Sequence, residues 1–255
     1  MSVRRVAVAG ATGLIGSQVV RFAAAAGHQV VGLSRSGGVD LTDPAALGDH
    51  LRDVDAVVDV TRPPTMDQQA ATRLFTEVAR NLGTAARAAG VRRTVVLSIV
   101  GIEESQDFGW YVATLAHERA TREHAPGPRV LRSTQFHEFP GQVLARSRRG
   151  DRAEIMDLPT QPVASAEVAR LLVELATQDL DPDRGGDVEV AGPRRESLVD
   201  LVRRLVALRG EHVEVVPAPA AASMAGGSVL PGPHALIRGE DWETWARAAV
   251  AAGRA

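Results

Sequence analysis

The chain has 255 residues, of which 45% are hydrophobic, and its formal net charge is −2 at pH 7. This balance is typical of a globular protein and argues against nucleic acid as the main partner, because nucleic-acid binding needs an excess of positive charge. No apolar run approaches the ~20 residues that a membrane span needs, so we expect no membrane partner and a cytoplasmic location. The chain has no cysteine, and all 29 of its basic residues are arginine. Disulfides, cysteine nucleophiles and lysine Schiff bases are therefore excluded.

The first half of the chain predicts strands that alternate with helices. Short runs rich in β-branched residues predict strands at 4–10, 28–34, 55–60, 91–101 and 128–133. Apolar residues at helical spacing predict helices at 14–27, 43–53 and 67–89, and a further helix that begins at Gly109. Because most of these strands lack alternating polarity, they are expected to be buried on both faces. We therefore predict an α/β fold with a Rossmann-like, doubly wound parallel sheet.

The pattern loosens beyond residue 150. Helices are predicted at 164–178, 195–210 and 241–252, strands at 187–192 and 212–218, and a long loop at 217–233. The sequence therefore predicts a sheet domain over residues 1–150. Residues 151–255 are predicted to form a small C-terminal region that completes the fold and forms the substrate pocket.

The segment GATGLIG joins the first strand to the first helix and contains three glycines. Glycine permits a tight turn and a close approach of the backbone to a pyrophosphate, which then lies at the positive end of the helix dipole. We therefore predict that residues 1–150 are a NAD(P)-binding Rossmann domain. The predicted cofactor contacts in this loop are Gly10, Thr12, Gly13, Leu14, Ile15 and Gly16.

The segment GLSRSGG at the end of the second strand bears on the choice between the two nicotinamide cofactors. NAD sites usually place Asp or Glu here to accept hydrogen bonds from the ribose 2′-hydroxyl. This chain has Ser34, Arg35 and Ser36 instead, with no carboxylate. An arginine suits a 2′-phosphate through a charge-assisted, bidentate contact. A surface arginine in a loop is the simpler alternative, but the pattern favours NADP(H) over NAD(H).

Several segments resemble the atypical short-chain dehydrogenase/reductases, and especially the NmrA-like NAD(P)-binding proteins. GATGLIG resembles the loop of this group, and RNLGTAARAAGVRRTVVLSIVGI resembles its long helix and following strand. RSTQFHEF, at 132–139, is similar to its loop after the next strand. PVASAEVARLLVELA is similar to a downstream segment, with Glu167 where an aspartate is usual. The resemblance covers most of residues 3–210 and is more specific for fold and cofactor than for reaction.

The same resemblance implies further cofactor contacts. The segment VDLTD places Asp40 and Leu41 where the group contacts adenine. Thr61 and Ser98, near the ends of the third and fourth predicted strands, are the remaining predicted contacts.

The catalytic tyrosine-x-x-x-lysine pair of the wider superfamily is not present in this chain. In the resemblance, Trp110 falls at the position of the tyrosine and Thr114 at that of the lysine. Tyr111, the single tyrosine of the chain, lies one residue further on, about 100° round the helix. Ser98 is the nearest match to the hydroxyl that completes the triad. A tyrosine acid whose pKa is lowered by lysine is therefore not available.

The favoured function is an NADP(H)-dependent oxidoreductase that reduces a small organic acceptor, such as a quinone, an enone or a ketone. Such an acceptor needs little proton chemistry from the protein, because the product can take its proton from water. Tyr111, His117 and His137 are the candidate catalytic residues. For each histidine, a purely structural, hydrogen-bonded role is at least as good an explanation. The predicted substrate pocket contains Trp110, Thr114, Gln135 and Phe136.

Two alternatives remain open. The first is a non-catalytic regulatory protein that senses NADP(H), for which the loss of the pair is expected. The second is a non-redox enzyme (an isomerase, dehydratase or cyclase) in which Trp110 forms an apolar floor. No metal is predicted, because each histidine that precedes a glutamate lacks the second histidine of a zinc helix. The oligomeric state is left open, with a homodimer as one option.

Overall fold

The computed structural model describes residues 3–178 and 187–253. The chain divides into two compact units. The first unit contains Met1–Ser98, Gly109–Arg132 and Val168–Val188, and the second contains Ile99–Phe108, Ser133–Glu167 and Glu189–Ala255. Each unit consists of three separate stretches of chain, so no single position in the sequence separates the two units. The functional division predicted at residue 150 stays a prediction.

The first half of the chain contains five strands and three α-helices. The strands are β1 (Arg5–Ala9), β2 (Gln29–Leu33), β3 (Ala56–Asp59), β4 (Arg93–Ile99) and β5 (Pro128–Ser133). The helices are α1 (Leu14–Ala25), α2 (Gln68–Ala88) and α3 (Gly109–His124). Each predicted strand is therefore confirmed to within a few residues, as are the helices around 14–27 and 67–89 and the helix that begins at Gly109.

The second half contains shorter elements. Its strands are β6 (Arg148–Arg149), β7 (Arg152–Met156), β8 (Pro159–Thr160), β9 (Val188–Ala191), β10 (Glu196–Ser197), β11 (Glu214–Ala218) and β12 (Leu236–Ile237). Its helices are α4 (Phe139–Ser147), α5 (Ser165–Thr177), α6 (Leu198–Leu208), α7 (Ala222–Ala225) and α8 (Trp242–Ala251). Within the described ranges, no helix combines the length and the apolar character needed to cross a membrane.

The largest sheet has seven strands in the order β12-β9-β5-β4-β3-β1-β2. The β1–β2, β1–β3, β3–β4 and β9–β12 pairs are parallel. Every residue of β3 is buried, as are the last four residues of β1, which is typical of strands covered on both faces. The strand order reverses next to β1, where open α/β sheets bind their ligands. These findings confirm the predicted Rossmann-like fold.

The helix predicted at 43–53 is wrong. Two 3-10 turns, Pro44–Ala46 and Asp49–Leu51, occupy this segment. The exposed Gly48 lies between them and disfavours a continuous helix. Leu47 and Leu51 are fully buried and hold the two turns against the core. The helical spacing of Leu47 and Leu51 therefore arises from two short turns that each bury one leucine in the core.

The loop predicted at 217–233 is also more structured than expected. The strand β11 extends into its first two residues, and the short helix α7 follows. Ser223 makes two hydrogen bonds to the Asp107 carboxylate, one through its backbone N–H and one through its hydroxyl. These contacts at the first turn of α7 come from a residue 116 positions away, so local sequence patterning could not indicate them.

The helices α2 and α3 pack closely at Gly83. A Cβ at this glycine would lie 2.7 Å from the carbonyl carbon of His124. One turn further on, Arg87 donates hydrogen bonds to the carbonyls of Glu123, His124 and Ala125 at the end of α3. The small residue and the arginine together hold the end of α3 against α2.

Candidate cofactor and substrate site

The loop between β1 and α1 depends on glycine for its conformation. Gly10 has a φ of 81°, in the region that favours glycine. A Cβ at Gly16 would lie 2.1 Å from the carbonyl oxygen of Gly10, so this position admits no side chain. A Cβ at Gly10 would itself lie 2.8 Å from the Val60 carbonyl oxygen at the end of β3. The loop is therefore pressed against its own helix and against the end of β3.

The beginning of α1 has the features of an anion site. Gly13 is the N-cap residue, and among the described residues no side chain accepts a hydrogen bond there. The first turn of α1 contains no acidic residue. The first amides of a helix need acceptors and lie at the positive end of its dipole. Thr12, Gly13 and Leu14 are exposed at this end, whereas Ile15 is buried in the core.

The residues after β2 form a short turn. The Ser34 hydroxyl accepts a hydrogen bond from the Gly37 N–H at 3.2 Å and lies 3.2 Å from the Ser36 hydroxyl. Arg35 and Ser36 are exposed, whereas Ser34 is partly buried. This turn thus presents a guanidinium and hydroxyls where a NAD site usually has a carboxylate.

The segment that contains Asp40 and Leu41 is held by hydrogen bonds. The Asp40 carboxylate accepts from the Thr42 N–H and hydroxyl at 2.9 and 2.8 Å. These two bonds, with the Arg35 charge nearby, lower the pKa of Asp40. Asn81 of α2 donates to the carbonyls of Leu41 and Thr42. The predicted adenine contact therefore has a defined backbone position, set in part by an asparagine that sequence patterning did not indicate.

A buried, hydrogen-bonded pair of side chains lies at the end of β3. The His117 Nε2 of α3 is 2.9 Å from the Asp59 Oδ2, and both side chains are about 2% exposed. Burial raises the pKa of Asp59, but the His117 ring and the Thr61 N–H, which donates to Asp59 Oδ1, outweigh it and lower the pKa. His117 thus ties α3 to β3, and Asp59 orients the backbone at Thr61. In the sequence, the feature that could have indicated this pair is Asp59 itself, a carboxylate at the end of an otherwise apolar strand.

Aromatic rings extend this pair towards the start of α3. The Phe75 ring stacks on His117, with ring centroids 4.4 Å apart and planes inclined by 19°. The centroids of the Phe75 and Trp110 rings are 5.7 Å apart, and the Arg62 Cζ lies 5.5 Å from the centroid of the Trp110 ring. Trp110 is partly buried. The position that would carry the catalytic tyrosine is therefore an aromatic wall.

The hydroxyls of α3 have structural environments. The Thr114 hydroxyl donates to the Trp110 carbonyl at 2.9 Å, within the helix, and its side chain is buried. Tyr111 is 5% exposed. Thr114 therefore does not replace the ammonium of a lysine, because a neutral hydroxyl bonded to its own helix supplies no positive charge.

Ser98 belongs to a second buried network. Its hydroxyl donates to the Glu118 carboxylate, which also receives two hydrogen bonds from Arg132, at 3.0 and 2.7 Å. Arg122 pairs with Asp187 and lies 3.7 Å from Glu118. Since the Ser98 proton is directed at Glu118, this hydroxyl can accept a hydrogen bond from a ligand more readily than donate one. Sequence patterning did not indicate Glu118 or Arg132 as partners of Ser98.

The remaining predicted residues lie in the second unit. Gln135 accepts a hydrogen bond from the Thr160 hydroxyl through its side-chain oxygen. Phe136 forms an isolated parallel bridge with Val163. His137 is fully buried, and its Nε2 donates to the Pro162 carbonyl at 3.0 Å. Burial lowers the pKa of this ring to about 4, so it is neutral at physiological pH.

Within residues 3–178 and 187–253, no group of three or more histidine, aspartate and glutamate side chains is arranged to hold a metal ion.

Comparisons with known proteins bear on this site. Residues 37–179, more than half of the chain, match a family model described as NAD(P)H-binding. The photosystem II assembly factor Ycf39 of Synechocystis sp. is 32% identical over 114 residues. That match covers 39% of this chain and 35% of Ycf39, so the chain matches about a third of the length of this curated relative.

Solved structures share the fold over nearly the whole chain. The dTDP-4-dehydrorhamnose reductase of Clostridium acetobutylicum has a TM-score of 0.74 at 14% identity, with 98% of this chain and 100% of that chain covered. A short-chain dehydrogenase/reductase superfamily protein from Agrobacterium tumefaciens with bound NAD has a TM-score of 0.71 at 18% identity, covering 98% and 97%. The dTDP-4-dehydrorhamnose reductase of Bacillus anthracis, in complex with NADP, has a TM-score of 0.70 at 14% identity, covering 96% and 97%. At these identities the similarity shows the fold, and the structures include both cofactors.

The buried His137 predicts a pH dependence of stability. Its folded pKa of about 4 lies below the usual 6.5, so the unfolded chain binds the proton first and stability falls as the pH drops from 6.5 towards 4. We expect this ring to contribute a loss of about 2 kcal/mol between pH 7 and pH 5. His137→Gln, which retains an N–H for Pro162, should remove that contribution, as measured by urea unfolding at both pH values.

The matched control is His50→Gln, since His50 is exposed and should leave the pH dependence as it is. A His137→Gln variant with the full wild-type loss between pH 7 and pH 5 would contradict the prediction.

Proposed function

Because this chain belongs to the NAD(P)H-binding family, we propose that it is an NADP(H)-dependent oxidoreductase that reduces a small organic acceptor. The membership confirms the resemblance to atypical short-chain dehydrogenase/reductases of the NmrA-like, NAD(P)-binding kind. The observation that carries the proposal is the beginning of α1, where a glycine N-cap without a side-chain partner leaves the first amides of the helix available to an anion.

The glycine loop fits a pyrophosphate. Gly10 and Gly16 are required by close backbone contacts within the fold, whereas a Cβ at Gly13 would meet only the Gly10 carbonyl oxygen, at 3.4 Å. Gly13 is exposed, so its lack of a side chain is not needed for packing within the protein and leaves room for a ligand. Thr12, Leu14 and Ile15 complete the proposed contacts through the backbone of this turn.

The turn after β2 supports NADP(H) over NAD(H). Arg35 and Ser36 are exposed and have the charge and the donors that a 2′-phosphate needs. Asp40 lies close enough to Arg35 for the charges to interact, but its carboxylate already accepts two hydrogen bonds from Thr42. We therefore place the 2′-phosphate at Arg35 and the adenine near Asp40 and Leu41.

The proposed reaction makes few demands on acid-base groups of the protein. When bound, the cofactor supplies a hydride to a carbon of the acceptor, and the reduced product takes its proton from water. Trp110 supplies a rigid aromatic wall for the acceptor, fixed by its contact with Phe75. The partly buried Thr61 backbone and the Ser98 hydroxyl are proposed to accept hydrogen bonds from the cofactor.

The three predicted catalytic residues have different roles in this proposal. His117 is bonded to Asp59 and stacked on Phe75, and His137 is neutral and bonded to Pro162. We propose that both histidines position their surroundings rather than touch the acceptor. Tyr111 remains the candidate proton donor, and its burial makes water the better source.

A second candidate function is an NADP(H)-binding protein that passes its state to a partner without turnover. The relative from Synechocystis sp. is named an assembly factor, which supports this candidate. The burial of Tyr111 and the commitment of the Ser98 proton to Glu118 support it too.

Turnover separates the two candidates. We expect the purified chain to oxidise NADPH when offered members of a panel of quinones, enones and ketones, followed by the loss of absorbance at the NADPH band. Binding of NADPH by fluorescence without oxidation on any acceptor would instead support the regulatory protein.

The α1 site predicts an opposite effect of one substitution on stability and on binding. Gly13→Asp should place a carboxylate where it can cap α1, so thermal stability should be retained or raised by roughly a few tenths of a kcal/mol, because aspartate caps a helix only slightly better than glycine. The same charge should repel the pyrophosphate and lower NADPH affinity at least tenfold, measured by fluorescence titration. Gly48→Asp, at an exposed turn with no atom within 4 Å of its Cβ position, is the control and should leave affinity unchanged. Retained NADPH affinity in Gly13→Asp would argue against this site.

The turn after β2 predicts a change in cofactor preference. Arg35→Ala should weaken NADPH binding by about tenfold or more and leave NADH binding nearly unchanged, because the lost charge-assisted contact involves the 2′-phosphate alone. Parallel titrations with both cofactors measure the ratio. Equal losses for NADPH and NADH would show that Arg35 does not contact this phosphate.

A further inference from the structure

The segment after β3 carries a pocket with a single charged side chain. This pocket has a volume of about 350 Å³ and is lined by Arg62, Pro63, Pro64, Thr65 and Met66. The segment follows the end of β3, the edge of an open α/β sheet at which ligands bind. Val60, two residues before Arg62, lies against Gly10 of the glycine loop, so the pocket begins close to the proposed cofactor loop.

The Arg62 guanidinium is held over an aromatic ring. Its Cζ lies 5.5 Å from the centroid of the Trp110 ring, within the range of a cation–π contact. Phe75 packs against the same tryptophan, which fixes the ring. The guanidinium therefore rests on a rigid platform.

The charge of Arg62 is not neutralised by the protein in the part of the chain that the structure describes. Other exposed arginines of the chain form ion pairs, such as Arg92 with Asp55 and Arg52 with Asp49. Across residues 3–178 and 187–253, no carboxylate lies within ion-pair distance of Arg62. Arg62 is exposed at the pocket, and its planar group can accept a carboxylate or phosphate in a bidentate contact while it stays stacked on Trp110.

We propose that Arg62 binds an anionic group of the acceptor, so that the substrate class is a small organic acceptor with a carboxylate or a similar anion. This inference rests on the proposed function, because it takes Trp110 to be the wall beside the reacting end of the cofactor. The two prolines and Met66 supply an apolar surface for the body of the acceptor. Met66 is 52% exposed and flexible, which suits ligands of varied shape.

The test compares an acid with its neutral ester. Binding of phenylglyoxylate and of its methyl ester is measured by calorimetry on the full chain, with and without NADP⁺. The oxidised cofactor cannot reduce either probe, so binding is measured whether or not the chain turns over. We expect the wild-type chain to bind the acid at least tenfold more tightly than the ester.

Variants assign the preference to Arg62. Arg62→Gln should remove the tenfold preference for the acid, while affinity for the ester and for NADP⁺ stays the same. Arg62→Lys, which retains the charge but not the planar fork, should keep part of the preference. The matched control is Arg52→Gln, an exposed arginine that precedes β3 at the opposite end of the strand; it should behave as the wild type.

Other outcomes of the binding experiment overturn the inference. Equal binding of acid and ester by the wild type, or no binding of either, would exclude an anion site at this pocket. A loss of NADP⁺ affinity in Arg62→Gln with the acid preference retained would assign Arg62 to the cofactor phosphates. If NADPH is not oxidised by any acceptor but the acid preference is present and depends on Arg62, the reductase proposal fails and the anion site stands.

Discussion

The buried pair between Asp59 and His117 is the contact on which the rest of the candidate site depends. It joins the end of β3 to the middle of α3 across 58 residues of chain. Removing either partner would leave a buried polar group without its hydrogen-bond partner, which is costly in a medium of low polarity. Because Phe75 stacks on this histidine and also contacts Trp110, the pair sets where the aromatic wall lies. It also orients the backbone at Thr61, and hence the start of the segment that carries Arg62.

The network around Glu118 shows how the helix can keep its place without the tyrosine and lysine of the wider superfamily. Arg132 neutralises Glu118 through two hydrogen bonds, and Ser98 donates a third. Buried carboxylates are tolerated when they are paired and hydrogen-bonded in this way. The Ser98 hydroxyl, which is the nearest match to the catalytic hydroxyl of the superfamily, thereby helps to hold α3 on the sheet. The candidate site is left with the aromatic ring of Trp110 and the guanidinium of Arg62, which suit binding and orientation better than proton transfer.

Much of the fold could be predicted because its signals are local. The apolar runs of β1 and β3 and the glycine loop before α1 have direct physical causes in strand burial and in backbone conformation. The segment 43–53 shows the limit of such signals. Leu47 and Leu51 have helical spacing, but Gly48 disfavours a continuous helix and the burial of both leucines in the core stabilises two short turns instead. Candidate residues were likewise found by motif, whereas their environments, such as the buried neutral ring of His137, depend on partners distant in the chain.

The sequence by itself determined the class of fold, the glycine loop, the arginine after β2 and the lack of any lysine. These features follow from residue types and their spacing, which act over a few neighbours. Only the tertiary structure decided that His117 is paired with Asp59, that Ser98 is bonded to Glu118, and that Arg62 lies over Trp110. Each of these contacts joins residues at least 20 positions apart. Their geometry arises from how α3 packs on the sheet and on α2, and no local pattern records that packing.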